Sequence, residues 1–279
     1  MEAHEYGGTR LLIFWFILNT PMTTLGTFLT AEWRYLAMLN YEVDPALLNK
    51  FVPKGTELDR WNGKLFVSLV GFRFLNTKVF GMGIPFHRDF DEVNLRFYVR
   101  RQVNGEVRRG VVFVKEIVPR WAIATVARVV YNENYVALPM WHLLKPHRVE
   151  PRADAALDGV KADGAKLGGM DAEYGWRTAR GKNKISVTTV GDPKPLDEGS
   201  EEQFITEHYW GYAAQRDGGT VEYRVEHPSW KVWRAANASF EGDVEELYGR
   251  ELAEAVKGRP ASAFLAEGSE VTVRKGSRI

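Results

Sequence analysis

The dipeptide Asn104-Gly105 stands between two long runs rich in alternating apolar and polar residues, Glu92 to Val103 and Glu106 to Val118. Asn and Gly both tolerate the positive φ that a two-residue hairpin turn requires, so the pattern specifies an antiparallel strand pair. Similar turn signals recur. Asn62-Gly63 precedes the buried-looking run Lys64 to Phe74, and Asp217-Gly218 separates Phe204 to Gln215 from Thr220 to Glu226. Gly181 lies between Tyr174 to Ala179 and Lys184 to Val190, and Trp121 to Val130 reads as a further strand. Ala37 to Val43 reads as a strand followed by a short helix, which Asp44-Pro45 starts and Pro53 and Gly55 stop. Helix returns only late, where Asp243 can cap a segment with Val244, Leu247, Leu252, Ala255 and Val256 roughly along one face. Many short strands joined by close turns predict a mainly β, α+β chain, an antiparallel barrel or sandwich with a few short helices.

Composition supports this and removes several functions. Nine Trp, eleven Tyr and fifteen Phe suit pleated, half-buried surfaces. With 37 basic against 36 acidic residues the net charge is +1, so no strong field exists to draw in nucleic acid. There is no cysteine, which excludes disulfides, thiolate nucleophiles and cysteine metal sites and is compatible with a reducing cytosol, the expected location. The apolar run Leu11 to Leu18 is eight residues long. A membrane span needs about 20. The acidic start and the absence of a small-residue cleavage site do not fit a signal peptide. Residues 1–21 therefore read as an atypical N-terminal extension without stable membrane insertion, and residues 22–279 as a single β-rich domain with a long surface loop near 151–171.

The strand that opens the hairpin carries the candidate chemistry. Val93, Leu95, Phe97 and Val99 share one face, and Glu92, Asn94, Arg96 and Tyr98 share the other. A regular two-residue hairpin sets Lys115 opposite Asn94, Phe113 opposite Arg96 and Ile117 opposite Glu92. A lysine between Phe113 and Ile117 has its charged form disfavoured, with Arg96 pushing the same way and Glu92 opposing. Such a lysine can act as a base or Schiff-base nucleophile. The alternative is an ordinary Glu–Lys pair on a solvated face. The same register opposes Arg100 to Arg109 and Arg101 to Arg108, which is unfavourable, and a one-residue bulge would turn Lys115 to the other face. His142 and His147 are five apart and His208 and His227 stand alone, so no metal site is expected. No nucleophile elbow, P-loop or dinucleotide fingerprint is present, and no cofactor or oligomeric state is specified.

A set of short motifs now becomes informative together. These are Glu92 to Val99, Gly110-Val111-Val112-Phe113, Ala127-Arg128, Leu138-Pro139-Met140, Trp61-Asn62-Gly63-Lys64 before Val67 to Val70, and Val225 to Trp230. From about Leu29 to the C-terminus the chain resembles the YqjF-like family of uncharacterised proteins, which is grouped by fold with acetoacetate decarboxylase. The resemblance implies a barrel-like, mostly antiparallel structure with a central cavity. In the decarboxylase a glutamate assists a lysine that forms a Schiff base with a β-keto acid, and Glu92 is similar to that glutamate. Its lysine pair follows a Gly-aromatic-Pro turn. The corresponding stretch here is Ala137-Leu138-Pro139-Met140-Trp141, where neither Met140 nor Trp141 can form an imine. The expectation is a cavity for a small carboxylate or keto acid, not a working Schiff-base decarboxylase. Asn94, Arg96, Tyr98, Arg128 and Met140 are its candidate ligand-binding residues, and Arg96 or Arg128 could hold a carboxylate. Glu92 and Lys115 are the catalytic candidates if the chain is instead a lyase or hydrolase acting on a keto acid or lactone. A third reading is an interaction protein that docks through its aromatics. Removing residues 1–21 should leave the thermal unfolding midpoint nearly unchanged, as measured by calorimetry.

Overall fold

The computed structural model describes residues 26–83, 87–119, 134–149 and 167–279. The expectations for residues 1–21, for a strand over Trp121 to Val130, for Arg128 and for most of the loop near 151–171 lie outside the described residues. The strands are β1 Thr27–Glu42, β2 Glu57–Leu58, β3 Phe66–Val79, β4 Phe90–Val103, β5 Glu106–Val118, β6 Tyr135–Ala137 and β7 Met140–Val149. They continue with β8 Leu167–Thr178, β9 Gly181–Lys194, β10 Trp210–Ala214, β11 Thr220–Glu226, β12 Val232–Glu241, β13 Ser262–Arg274 and β14 Ser277–Arg278. The helices are short: α1 Pro45–Leu48, α2 Glu201–Thr206, α3 Glu245–Tyr248 and α4 Arg250–Lys257. No helix among the described residues is long and apolar enough to cross a membrane.

The turns at Asn104-Gly105, Gly181 and Asp217-Gly218 join the strands expected of them, while Asn62-Gly63 closes only the isolated Trp61–Lys64 bridge ahead of β3. Asn104 and Gly105 take φ values of 51° and 87°, and Val103 pairs with Glu106 beside them. Two segments differ from expectation. Leu167 to Asp171, expected at the end of a surface loop, opens β8 and pairs with β7 and β9. Phe204 to Gln215, expected as one strand, splits into α2 and β10 because Ser200 accepts a hydrogen bond from the Gln203 amide at 3.1 Å and caps a helix. The Gln203 side chain reaches back to the Gly199 amide at 2.8 Å.

Seven strands close into a ring in the order β5, β4, β3, β1, β13, β11, β10. The ring closes through two short pairings. β11 meets β13 at Val225–Val273 and Glu226–Thr272, and β10 meets β5 at Trp210–Gly110 and Gly211–Val111. That last pairing is parallel, a departure from a purely antiparallel barrel. A side chain on Gly110 would run into the Trp210 carbonyl and the Tyr212 ring, so the seam requires a glycine there. A second layer, β12, β9, β8 and β7, leaves the edge of β13 and covers the outer face of the ring. Leu39, Leu69, Leu95, Phe97, Tyr174 and Trp176 fill the space between the layers.

β13 serves both layers because it and β1 bend together. Arg34 pairs with Gly268, and next to it Tyr35 interrupts the β1–β3 register with a φ of 55°. The Tyr174 hydroxyl donates to the Tyr35 carbonyl at 2.7 Å. Gly268 has a φ of 77°, and a Cβ there would overlap the carbonyl oxygen of Trp33. Gly268→Ala should therefore cost at least about 2 kcal/mol and lower the melting midpoint by several degrees, as measured by calorimetry.

Candidate functional site

β4 and β5 follow the expected register from Val103–Glu106 to Arg96–Phe113, and then it shifts. Beyond that point Leu95 faces Lys115, Asn94 faces Glu116 and Val93 faces Ile117. One extra residue in β5 at Val114 makes a β-bulge, and every later side chain changes face. The expectation that Lys115 lies opposite Asn94 is thus corrected. Lys115 is half-buried on the face that looks to the outer layer, and Glu116 takes the inward position. The opposed arginines keep the predicted register and are offset by acids from other strands. Arg100 donates to Glu57 at 2.8 Å, and Arg109 lies 3.1 Å from Asp59. Arg101 and Arg108 donate to the two oxygens of the buried Glu222 at 3.0 and 2.6 Å. Such partners remove the repulsion that opposed like charges would otherwise carry.

The ring encloses a cavity of about 130 Å³. Much of its wall is aromatic, including Phe28, Trp33, Phe72, Phe74, Phe90 and Trp230. Its polar wall contains Glu92, Asn94 and Arg96 from β4, Glu116 from β5, Tyr135 from β6 and His208 from the segment after α2. Three of the candidates named from sequence therefore share the cavity. Tyr98 does not line it but sits just behind, 1% exposed. Its hydroxyl lies 2.6 Å from Ser68 Oγ, and its ring lies 5.7 Å from the Arg96 guanidinium. Met140 is not in the wall either. The chain crosses to the outer layer after Ala137, where Met140 pairs with Trp176 and packs on the core between the layers. Sequence reasoning missed Glu116 because it kept the regular register, although it noted that a one-residue bulge would turn Lys115 to the other face. It set His208 apart because the residues that approach it are distant in sequence.

The carboxyl of Glu92 is fully enclosed, and burial pushes it up to about 7. Opposing this, Asn94 Nδ2 donates to Oε1 at 3.0 Å, the Tyr135 hydroxyl donates to Oε2 at 3.1 Å, and Arg96 adds its positive charge. Glu92 can thus carry or release a proton near neutrality. Arg96 is 7% exposed, donates from Nη2 to the Ile205 carbonyl at 3.3 Å, and has no hydrogen-bond partner at Nε among the described residues. No lysine lines the cavity among the described residues, so the wall they form offers no amine for an imine. Among the same residues, no cluster of three or more His, Asp or Glu side chains is arranged to hold a metal ion. The raised value at Glu92 fixes a pH effect. Its contribution to stability is complete below about 4.5 and is lost as pH rises through about 7. Glu92→Gln should therefore melt closer to the wild type at about pH 5 and gain on it by a few kcal/mol at about pH 8, as followed by calorimetry.

The DUF2071 family, described as an uncharacterized conserved protein, matches residues 30–270. The uncharacterized protein YqjF of Bacillus subtilis (strain 168) is 25% identical over 216 residues, 77% of this chain and 78% of that one. The crystal structure of acetoacetate decarboxylase from Legionella pneumophila is similar with a TM-score of 0.58 at 14% identity, covering 96% of this chain and 95% of its own. The enduracididine biosynthesis enzyme MppR, complexed with pyruvate, gives a TM-score of 0.58 at 12% identity over 93% of each chain. At these identities the shared property is the fold, which is that of acetoacetate decarboxylase. Matched over most of its length, the chain belongs to the DUF2071 family of uncharacterized conserved proteins.

Proposed function

We propose that the chain binds a small carboxylate of the keto-acid class in the barrel cavity, without forming a Schiff base. The observation that carries this reading is Arg96, a buried guanidinium in the cavity wall whose Nε has no hydrogen-bond partner among the described residues. A buried donor left without an acceptor costs about 1–3 kcal/mol. A ligand carboxylate would remove that cost and, as a planar acceptor, matches the guanidinium fork. Asn94 and Tyr135 hold Glu92 in place and leave it able to be neutral at the moment an anion enters. The aromatic wall suits the apolar body of the ligand. MppR, whose fold is similar, is described as complexed with pyruvate, which adds support to the substrate class. The alternative chemistry through Lys115 gains nothing from the register, because Lys115 pairs with Leu95 and stands outside the cavity wall.

Calorimetric titration with pyruvate, acetoacetate and phenylpyruvate tests the reading. Binding should weaken as pH rises through about 7, because ionised Glu92 would then face the ligand's charge. Arg96→Met should lose at least about tenfold in affinity while remaining folded. Treatment with a keto acid and borohydride should leave the mass of the protein unchanged. No heat with any of the three acids, or an adduct on a lysine that survives in Lys184→Met and disappears in Lys115→Met, would overturn it.

A further inference from the structure

His208 is a further ionisable group in the cavity wall, and carboxylate binding gives it no task. Its side chain is 1% exposed, and its ring packs 4.7 Å from that of Tyr98 and edge-on at 5.0 Å to Phe204. Neither ring nitrogen makes a hydrogen bond among the described residues. Nε2 lies 3.5 Å from Oδ2 of Asp59, itself 1% exposed. Asp59 is fixed from three sides. Its amide donates to the Tyr98 carbonyl at 3.0 Å, its Oδ1 accepts from the Arg60 amide at 3.0 Å, and Arg109 Nε lies 3.1 Å from Oδ2. A carboxylate beside Nε2 favours the tautomer with its proton on that nitrogen, which leaves the Nδ1 lone pair as the free base. At 3.5 Å the contact is longer than an ordinary hydrogen bond, and such contacts tighten when the ring becomes charged.

We infer that Asp59 and His208 form an acid–base dyad that moves the C3 proton of a 2-keto acid held in the cavity. This rests on the keto-acid reading of the same cavity. With the ligand carboxylate on Arg96, the C3–H bond breaks and its proton passes to His208 Nδ1. The bonding pair forms the C2–C3 double bond, and the former carbonyl oxygen takes a proton from the Glu92 carboxyl. The product is the enol, beside a His208 imidazolium and a Glu92 carboxylate. While the enol is held, the His208 imidazolium trades its new proton with solvent, and reversal then delivers a solvent hydrogen to C3 and returns the oxygen's proton to Glu92, so no co-reactant is consumed. Burial holds His208 below its usual range despite the pull of Asp59, with Arg109 and Arg96 acting in the same direction as burial, so the ring is neutral and basic at pH 7. Burial raises the Asp59 carboxyl, but His208, Arg109 and Arg100 together outweigh it and keep the carboxyl below its usual range.

The test is loss of the C3 proton signal of phenylpyruvate in deuterated water, followed by NMR, with affinity measured separately by calorimetry. The wild-type chain should exchange the proton at least about 100-fold faster than buffer, and His208→Gln should bring that rate down nearly to that of buffer with affinity changed less than about threefold. Asp59→Asn should lower it less and shift the acidic limb of the pH profile. The alkaline limb, near pH 7, should vanish in Glu92→Gln. Lys115→Met should exchange at the wild-type rate. The wild-type measurement stands even if a dyad variant fails to fold. Binding with exchange at the buffer rate would overturn the dyad alone. No binding by the wild-type chain would overturn the dyad together with the keto-acid reading.

Discussion

A strand covered on both faces cannot send its polar side chains to water. β4 is such a strand from Phe90 to Val99, with the outer layer on one side and the interior of the ring on the other. Its apolar positions Val93, Leu95, Phe97 and Val99 join the core between the layers. Its polar positions must then find partners inside the barrel or leave buried groups unsatisfied. Glu92 is met by Asn94 and Tyr135, and Arg96 by the Ile205 carbonyl and the Tyr98 ring. The closure of the ring, the enclosure of its cavity and the raised Glu92 carboxyl all follow from burying that polar row.

The hairpin and the division of β4 into two faces were legible in the sequence because both depend on neighbours along the chain. A bulge was foreseen as a way to turn Lys115 over, but its position was not legible, since no turn residue marks Val114, and a shift of one residue decides whether lysine or glutamate enters the cavity. A trace of the surroundings was nevertheless present. Opposed arginines at Arg100–Arg109 and Arg101–Arg108 demanded acids from elsewhere, and Glu57, Asp59 and Glu222 supply them. Glu57 and Asp59 arrive with β2, which pairs with β4, and Glu222 arrives with β11, so folding and not proximity along the chain brings these acids to the arginines. The same holds for His208, whose partner Asp59 comes from the other half of the chain. The helix α2 was available to a closer reading, because Ser200 and Gln203 have the spacing of a capping pair.

The family resemblance placed the fold correctly and left the chemistry open. Acetoacetate decarboxylase and MppR share the architecture at 14% and 12% identity, which is enough to preserve a barrel and too little to carry a reaction. In this chain the described part of the cavity wall combines two buried glutamates, an arginine and three histidines with a largely aromatic lining.

The burial of β4 on both sides also constrains how the family can diversify. Between Phe90 and Val99, the even-numbered residues face the interior of the ring and the odd-numbered ones the opposite layer, so parity in the sequence separates two environments. Changes at even positions alter the lining of the interior while the packing between the layers is preserved. Changes at odd positions alter that packing and leave the lining in place. Substituting every second residue of a single strand can therefore reshape the inside of such a barrel without disturbing its cover.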